Sequence, residues 1–356
     1  MNPVHIFNEF KRLSFGKGYW ICHLYKCENN EAFFHAVVIP HYANNARFEL
    51  FCDAEKIRYM PIKEAPGGLE YVARRAGVHD FGGFTVSFSV KLPKGDTGRT
   101  LSCRDIQSGD QIGCQYHVPS MSEFEKPLGA ANRMRATRSD SLLYYNFTGY
   151  DDCVKIADII KRSMPKSRSL RVLDWGVGSG RVTAHMRKDD VFEMFGTDID
   201  PVNMKQLHAN GFPASHFKLT EPGAEIPFDS ASFDACFGIS VFTHLTESLQ
   251  FKYLSEIRRI LKPGGIGIFS VHGFVHYFSQ INDGNKFFDW IDKGIIVTGD
   301  NLDLSENFAK SNDEKLYVDT LHTPDYILKN WSRFFTSLSI IEAPTIYGQD
   351  FVVCRR

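Results

Sequence analysis

Two hydrophobic periods divide this chain. Up to about residue 120 the apolar positions come in short aromatic and β-branched bursts: YWICHLY, FFHAVVI, RFELFCD and FTVSFSVKL. In the last burst Phe84, Val86, Phe88 and Val90 alternate with Thr85, Ser87, Ser89 and Lys91, the period of two that puts one face of a strand on a core and the other in water. Turn-forming APGG, DFGG, PKGDTG and SGD separate the bursts. The pattern predicts a separate, antiparallel, sandwich-like β-rich domain over residues 1–120.

From Leu170 onward the rhythm becomes strand, glycine turn, helix, strand. It predicts strands at 170–174, 192–198, 233–239 and 266–271, with helices near 181–187, 201–210 and 247–261. A further helix in TPDYILKNWSRFF opens on a Thr cap and a Pro at its first position, and LSIIEA and DFVVCRR form a closing strand pair. Such alternation argues an α/β domain over 151–356 with a doubly wound, mostly parallel sheet covered by helices. Between the two patterns, 121–150 reads as a polar, arginine-containing connector, followed by a helix over 152–162.

Composition narrows the function classes. Lys plus Arg (41) nearly cancels Asp plus Glu (42), so the chain has no overall basic field to hold a phosphate backbone and no nucleic-acid partner is expected. The opening MNPVHIFNEFKRLSF lacks the continuous apolar core of a secretion signal, and no later run is long and apolar enough to span a bilayer. A cytoplasmic protein without a membrane span is expected. The eight cysteines are scattered with no C-x-x-C pair, which reads as reduced thiols packed as small apolar residues and no metal site.

Candidate chemistry concentrates in LRVLDWGVGSGRVTAHM. Gly176, Gly178 and Gly180 lie where a strand turns into a helix, and missing side chains let a ligand pack against the backbone. A dinucleotide turn of the form G-x-G-x-x-G would carry its last glycine at position 181, which is Arg181. Eighteen residues beyond Gly180, FGTDID ends a second apolar strand with Asp198, an acid placed to accept hydrogen bonds from both ribose hydroxyls of an adenosine. The residues alone leave three readings: a dinucleotide, a nucleoside without phosphates, or a purely structural turn.

Two further stretches, FDACFGISVFTHL and LSEIRRILKPGGIGIFSVHG, together with LDWGVGSGR, DID and the terminal YGQDFVVCRR, resemble class I S-adenosylmethionine-dependent methyltransferases over residues 170–356. The set is similar to the methyltransferases of bacterial surface-glycan clusters. The resemblance implies a Rossmann-like domain with S-adenosyl-L-methionine as cofactor. Asp174 and the turn glycines Gly176, Gly178 and Gly180 would hold its methionine end, Asp198 its ribose, and Ile199 would flank the adenine. The acid that the family often carries after its third strand is only approximately matched by Glu221.

Methyl transfer from a sulfonium is an in-line displacement that demands alignment first, and an alcohol acceptor also needs a general base. His244, after the fourth strand, and His272, ending the fifth, are the candidate bases, since both should emerge at the carboxyl edge of the sheet. GIS, at the end of the fourth strand, lacks the Asn/Asp-Pro-Pro-aromatic run by which many amino-methyltransferases grip a planar nitrogen, so a hydroxyl acceptor is favoured.

Other residues have simpler accounts. Trp175 packs beside the cofactor or under the turn, and Asp200 caps the next helix. His276 and Tyr277 either shape an acceptor pocket or pack. Arg133, Arg135 and Arg138 either pair with the cofactor carboxylate or are solvated linker. The long stretch after His272 carries Phe274, Tyr277, Phe278, Phe287, Phe288 and Trp290; it is read as a lid or acceptor-binding insertion, with packing as the alternative for its aromatics. The expected function is O-methylation of a sugar hydroxyl in a glycan or nucleotide-linked precursor, with a glycan-synthesis enzyme as a possible partner. The alternatives are a secondary-metabolite acceptor, or a non-catalytic glycan-binding or scaffolding protein.

Overall fold

The computed structural model describes residues 7, 18–39, 47–64, 69–70, 73–74, 84–92, 97–120, 139–164, 169–281, 283–300 and 318–356, without the side chains of 298–300. The connector arginines Arg133, Arg135 and Arg138 and the insertion residues 301–317 lie outside the described residues. The chain forms two compact units. The first comprises Met1–Asp152, Phe274–Phe288 and Ala343–Gly348, the second Cys153–Gly273, Asp289–Glu342 and Gln349–Arg356.

The first unit carries strands β1 (Tyr19–Glu28), β2 (Glu31–Ile39), β3 (Phe48–Cys52), β4 (Glu55–Ile57), β5 (Tyr59–Pro61), β6 (Thr85–Lys91), β7 (Arg99–Asp105) and β8 (Tyr116–Val118). They pair antiparallel in two sheets, ordered β1-β2-β6-β5 and β4-β3-β7-β8. Asn29 and Asn30, both at positive φ (50° and 62°), make the two-residue turn between β1 and β2, a conformation asparagine tolerates and that matches the strand twist. Leu24, Phe34 and Phe88 of one sheet share a core with Leu50, Leu101 and Tyr116 of the other, which is sandwich packing. Trp20 Nε1 donates to the Cys114 carbonyl (2.7 Å) and Tyr116 Oη to that of Trp20 (2.8 Å), so the polar ends of these buried rings are satisfied.

Helix α1 (Leu142–Ser163) begins ten residues before the expected start. Its first turns, LLYYNFTGY, are aromatic, β-branched and glycine-containing, a composition of weak helix propensity. Burial of Phe147 in the sandwich core overrides that weakness.

In the second unit the strands are β9 (Leu170–Trp175), β10 (Phe192–Asp198), β11 (Phe217–Leu219), β12 (Phe233–Gly238), β13 (Leu261–His272), β14 (Ile295–Asp300), β15 (Val318–His322), β16 (Ser337–Ile341) and β17 (Gln349–Arg355). The helices are α2 (Thr183–Met186), α3 (Pro201–Ala209), α4 (Glu247–Ile260) and α6 (Pro324–Trp331), with α5 (Gly284–Lys293) spanning the boundary at 288. Strands β11, β10, β9, β12 and β13 run parallel in that order, and β17 lies antiparallel between β13 and β16. Sheet order therefore reverses between β9 and β12, where an open α/β sheet gapes at its carboxyl edge.

Alternate strand residues fill two cores. Leu173, Phe195, Cys236 and Phe269 pack with α4 and α6 on one face. Val172, Met194, Ala235 and Ile268 pack with the second half of α1 and with α3 on the other. Burial on both faces explains why these strands read as continuous apolar runs. Asp200 accepts from Val202 N (2.8 Å) and Thr323 Oγ1 from Tyr326 N (3.3 Å), each ahead of a proline, so both expected caps are present.

The stretch after His272 contains the antiparallel β14–β15 pair, and β15 joins β13 in parallel at His272 and Leu321. Its aromatics are core: Tyr277, Phe278, Phe287 and Trp290 are fully buried. Phe274 and Phe287 both make ring contacts with Phe278. Packing, not an exposed sugar-stacking surface, accounts for these rings. No disulfide joins any of the eight cysteines among the described residues, and six of them, Cys22, Cys52, Cys103, Cys153, Cys236 and Cys354, are buried. Among the described residues no helix is long and apolar enough to cross a membrane, and no group of three or more His, Cys, Asp or Glu side chains is arranged to hold a metal ion.

Phe269 lies fully buried against Trp175 and Phe242 at the sheet centre. Phe269→Ala is expected to destabilise the protein by about 3–5 kcal/mol, measured as a shift in the denaturant midpoint; a change below about 1 kcal/mol would show that this core closes without it.

Candidate active site

The glycine turn follows β9 directly. Gly176, Gly178 and Gly180 all have positive φ (77°, 52° and 81°), which residues with a Cβ adopt at a cost. Two of them also need the space. A Cβ on Gly176 would lie 2.5 Å from Val241 Cγ2, and one on Gly180 2.8 Å from Leu207 Cδ2. Gly178 is different, because among the described residues a Cβ there would come no nearer than 4.0 Å to another atom, the Gly176 carbonyl oxygen. Among the described residues the middle glycine borders open space, in which a ligand can approach the backbone.

Asp198, half-buried at the end of β10, reaches across to this turn. Its Oδ2 accepts from Gly178 N at 2.7 Å and its Oδ1 from Asp200 N at 2.8 Å. Gly176 N and Val177 N donate to the Thr197 carbonyl, so the ends of two adjacent strands are tied into one rim. Ile199, half-buried, follows on the same rim, and Glu221 is exposed two residues past the end of β11.

Asp174 is buried near the end of β9 and accepts from Thr183 Oγ1 at 2.6 Å. Burial pushes its carboxyl up to about 7, against the lowering effects of the Thr183 hydrogen bond and of Arg181, while Asp198 raises it further. Trp175 sits beneath the turn in contact with Phe242, Tyr253 and Phe269, which is the packing role. His185, in α2, is also buried, and desolvation lowers it to about 3, so it is neutral near pH 7.

Beyond β12 the backbone is strained: Ser240 has φ +57°, uncommon for a residue with a side chain and most frequent at functional sites. Ser240 N donates to Ser270 Oγ (2.6 Å), and its hydroxyl lies 3.1 Å from Gln349 Oε1 and 3.0 Å from Gln349 Nε2. Gln349, on β17, also contacts His272 Nε2 at 3.2 Å. His244 ends a short 3₁₀ turn after β12, with Nδ1 3.1 Å from the Val318 carbonyl oxygen and 3.3 Å from Asp319 Oδ1. The rings of His244 and His272 stand nearly perpendicular with centroids 6.3 Å apart.

The structure thus gathers Asp174 and the three glycines with Asp198 on the β9–β10 rim, and His244 with His272 beyond β12 and β13. Reasoning from sequence missed Thr183, Ser240, Ser270, Gln349 and Asp319. Only pairing of β17 and β15 with β13 brings Gln349 and Asp319 to the histidines, a long-range placement without local signature.

Comparison with known proteins follows the same segment. Residues 173–269 match the family model described as Methyltransferase domain. The chain is 30% identical over 108 residues to a demethylmenaquinone methyltransferase of Chlorobaculum tepidum, covering 30% of this chain and 42% of that protein. It is 25% identical over 175 residues to a mitochondrial arginine hydroxylase of Mus musculus, covering 48% of each. The chain thus spans less than half the length of the curated relatives it matches. Among solved structures, an S-adenosylmethionine-dependent methyltransferase from Methanosarcina mazei superposes with a TM-score of 0.41 at 15% identity, covering 56% of this chain and 96% of that one. Residues 173–269 carry the methyltransferase-domain pattern, and the sheet that holds them has the class I methyltransferase fold, with an additional antiparallel β-rich region N-terminal to it.

Proposed function

We propose that the protein is an S-adenosylmethionine-dependent O-methyltransferase whose acceptor is a sugar hydroxyl, in a glycan or a nucleotide-linked sugar. The observation that carries the cofactor reading is the turn itself: a glycine bordering open space, clamped through its own N–H by the acid at the end of the next strand. Such a rim suits an uncharged ribose and an amino-acid tail better than a pyrophosphate, since the carboxylate of Asp198 at its edge would repel phosphate. When bound, the cofactor supplies an electrophilic methyl group. Asp198 would accept from the ribose hydroxyls, Ile199 would cover the adenine, and Asp174 would face the methionine ammonium.

The acceptor reading rests on two hydrogen-bonding imidazoles beyond β12 and β13, which suit removal of a hydroxyl proton, and on the absence of an Asn/Asp-Pro-Pro-aromatic run at Gly238–Ser240. It is tested by incubating the protein with S-adenosylmethionine labelled in the methyl group and a panel of UDP-, GDP- and dTDP-hexoses and oligosaccharides. Label transferred to a sugar oxygen supports the reading; transfer confined to amines or quinols in a parallel panel contradicts it.

Two predictions follow from the rim. Asp198→Ala removes the acceptor for the ribose and for two backbone N–H groups at once, and hydrogen bonds to a charged group contribute about 1.5–3 kcal/mol each. The affinity for S-adenosylhomocysteine, read by titration calorimetry, is expected to fall by well over a factor of about ten. An unchanged affinity would remove Asp198 from the site.

The second concerns pH. With its carboxyl pushed up to about 7 by burial, Asp174 is largely protonated at pH 6, whereas a cationic ammonium beside it favours the ionised form. Binding then releases a proton, so affinity rises between about pH 5.5 and 7, by at most about tenfold per unit, and levels off above. Asp174→Asn should flatten this rise. A parent protein whose affinity is constant over that range would show that Asp174 does not face the cation.

A further inference from the structure

The strand pair inserted after β13 does more than extend the sheet, because β15 is bonded all along the segment that carries His244. Thr320 Oγ1 donates to the Leu245 carbonyl at 2.8 Å. His322 lies 2.8 Å from the side chain of Gln250, whose amide donates in turn to the carbonyls of Leu245 and Phe242. Burial drives His322 down to about 3, so it is a neutral structural partner and no candidate for proton transfer. These bonds hold the 3₁₀ turn rigidly against β15. The same strand presents the Val318 carbonyl and the Asp319 carboxylate to one nitrogen of His244.

Both groups are acceptors, so His244 Nδ1 carries the proton, and in the neutral ring the lone pair is on Nε2. The other histidine is held through its other nitrogen. The Gln349 amide nitrogen is a donor, so its 3.2 Å contact engages the lone pair of His272 Nε2 and leaves that ring's proton on Nδ1. Both rings thus carry their proton on Nδ1, but His244 is held through the protonated nitrogen and His272 through its lone pair.

We infer that His244 is the general base of the proposed methyl transfer and that Asp319 is its positioning residue, with the Val318 carbonyl fixing the tautomer and the Asp319 carboxylate stabilising the imidazolium that forms. This rests on the reading of the protein as an O-methyltransferase. In the step, the acceptor hydroxyl gives its proton to His244 Nε2 while its oxygen forms the bond to the methyl carbon. The carbon–sulfur bond pair returns to sulfur, leaving an ether, a neutral sulfide and a protonated imidazole. The positive charge thus passes from sulfonium to His244, beside the carboxylate. Base and orienting acid within hydrogen-bond reach is the arrangement expected of an activated proton acceptor. Asp319 keeps 43% of its side-chain surface in water, so its contribution should be far smaller than that of a buried carboxylate.

The tautomer can be read without any acceptor. Two-bond proton–nitrogen correlation spectra of the full chain labelled with ¹⁵N-histidine, with His244→Gln identifying the signal, should show His244 protonated on Nδ1; a signal protonated on Nε2 overturns the inference. In single-turnover assays with the best sugar of the panel, Asp319→Asn should slow methyl transfer about tenfold. Its affinity for S-adenosylhomocysteine should stay within about twofold, and Asp319→Glu should recover part of the rate. His244→Gln should lose about a hundredfold or more, and adding Asp319→Asn to it should cost nothing further. An unaltered rate in Asp319→Asn, or additive losses in the double variant, contradicts the dyad. Failure of the O-methyltransferase reading has a different signature: the parent would bind no S-adenosylhomocysteine or methylate no hydroxyl, whatever the tautomer of His244.

Discussion

The site depends on one hydrogen bond, from the amide of Gly178 to the carboxylate of Asp198. A glycine-rich turn is the most permissive backbone in the chain, and three positive-φ glycines in five residues carry a large entropy cost on ordering. The bond from the next strand, with those from Gly176 and Val177 to the Thr197 carbonyl, converts this loose turn into a fixed rim. Asp198 is itself oriented by the Asp200 amide at the start of α3, so strand, turn and helix hold one another. The gap the sheet order opens between β9 and β12 acquires a defined wall.

Strain and burial around this wall follow the same logic. Ser240 sits at positive φ where the chain leaves β12, and its amide and hydroxyl are both engaged, by Ser270 and Gln349. The cost of that conformation is offset by a network drawn from β12, β13 and β17. Asp174 is buried, which favours its neutral form, a penalty that a cationic ligand would relieve. Polar groups held in unfavourable states at one sheet edge are a mark of function.

Much of this was legible in the sequence. Three of the four expected strands of the distal half match the observed ones to within a residue, the fourth begins five residues early at Leu261, and three helices match closely, because two-sided burial demands apolar runs and because Asp200, Pro201, Thr323 and Pro324 mark helix starts by chemistry alone. The rim was legible too, since three glycines and an acid at a strand end have few other uses. Less legible were features set by distant partners. Residues 142–150 read as connector because nothing local shows that Phe147 enters the sandwich core. The return of Phe274–Phe288 and Ala343–Gly348 to the first unit has no counterpart in hydrophobic period, and the buried aromatics after His272 look alike whether they pack or bind. Above all, a sequence shows two histidines near strand ends, but which nitrogen of each ring is held is set by Gln349 and Asp319, neither of which is near them in the chain.

The central claim is that the Asp198-clamped turn receives a nucleoside bearing an amino acid and no phosphate. Titration calorimetry of the unmodified protein with S-adenosylhomocysteine and, separately, with NAD tests it most directly. Saturable binding of S-adenosylhomocysteine at one site per chain, with no heat from NAD, is the result the account predicts. Binding of NAD in preference to S-adenosylhomocysteine would contradict it.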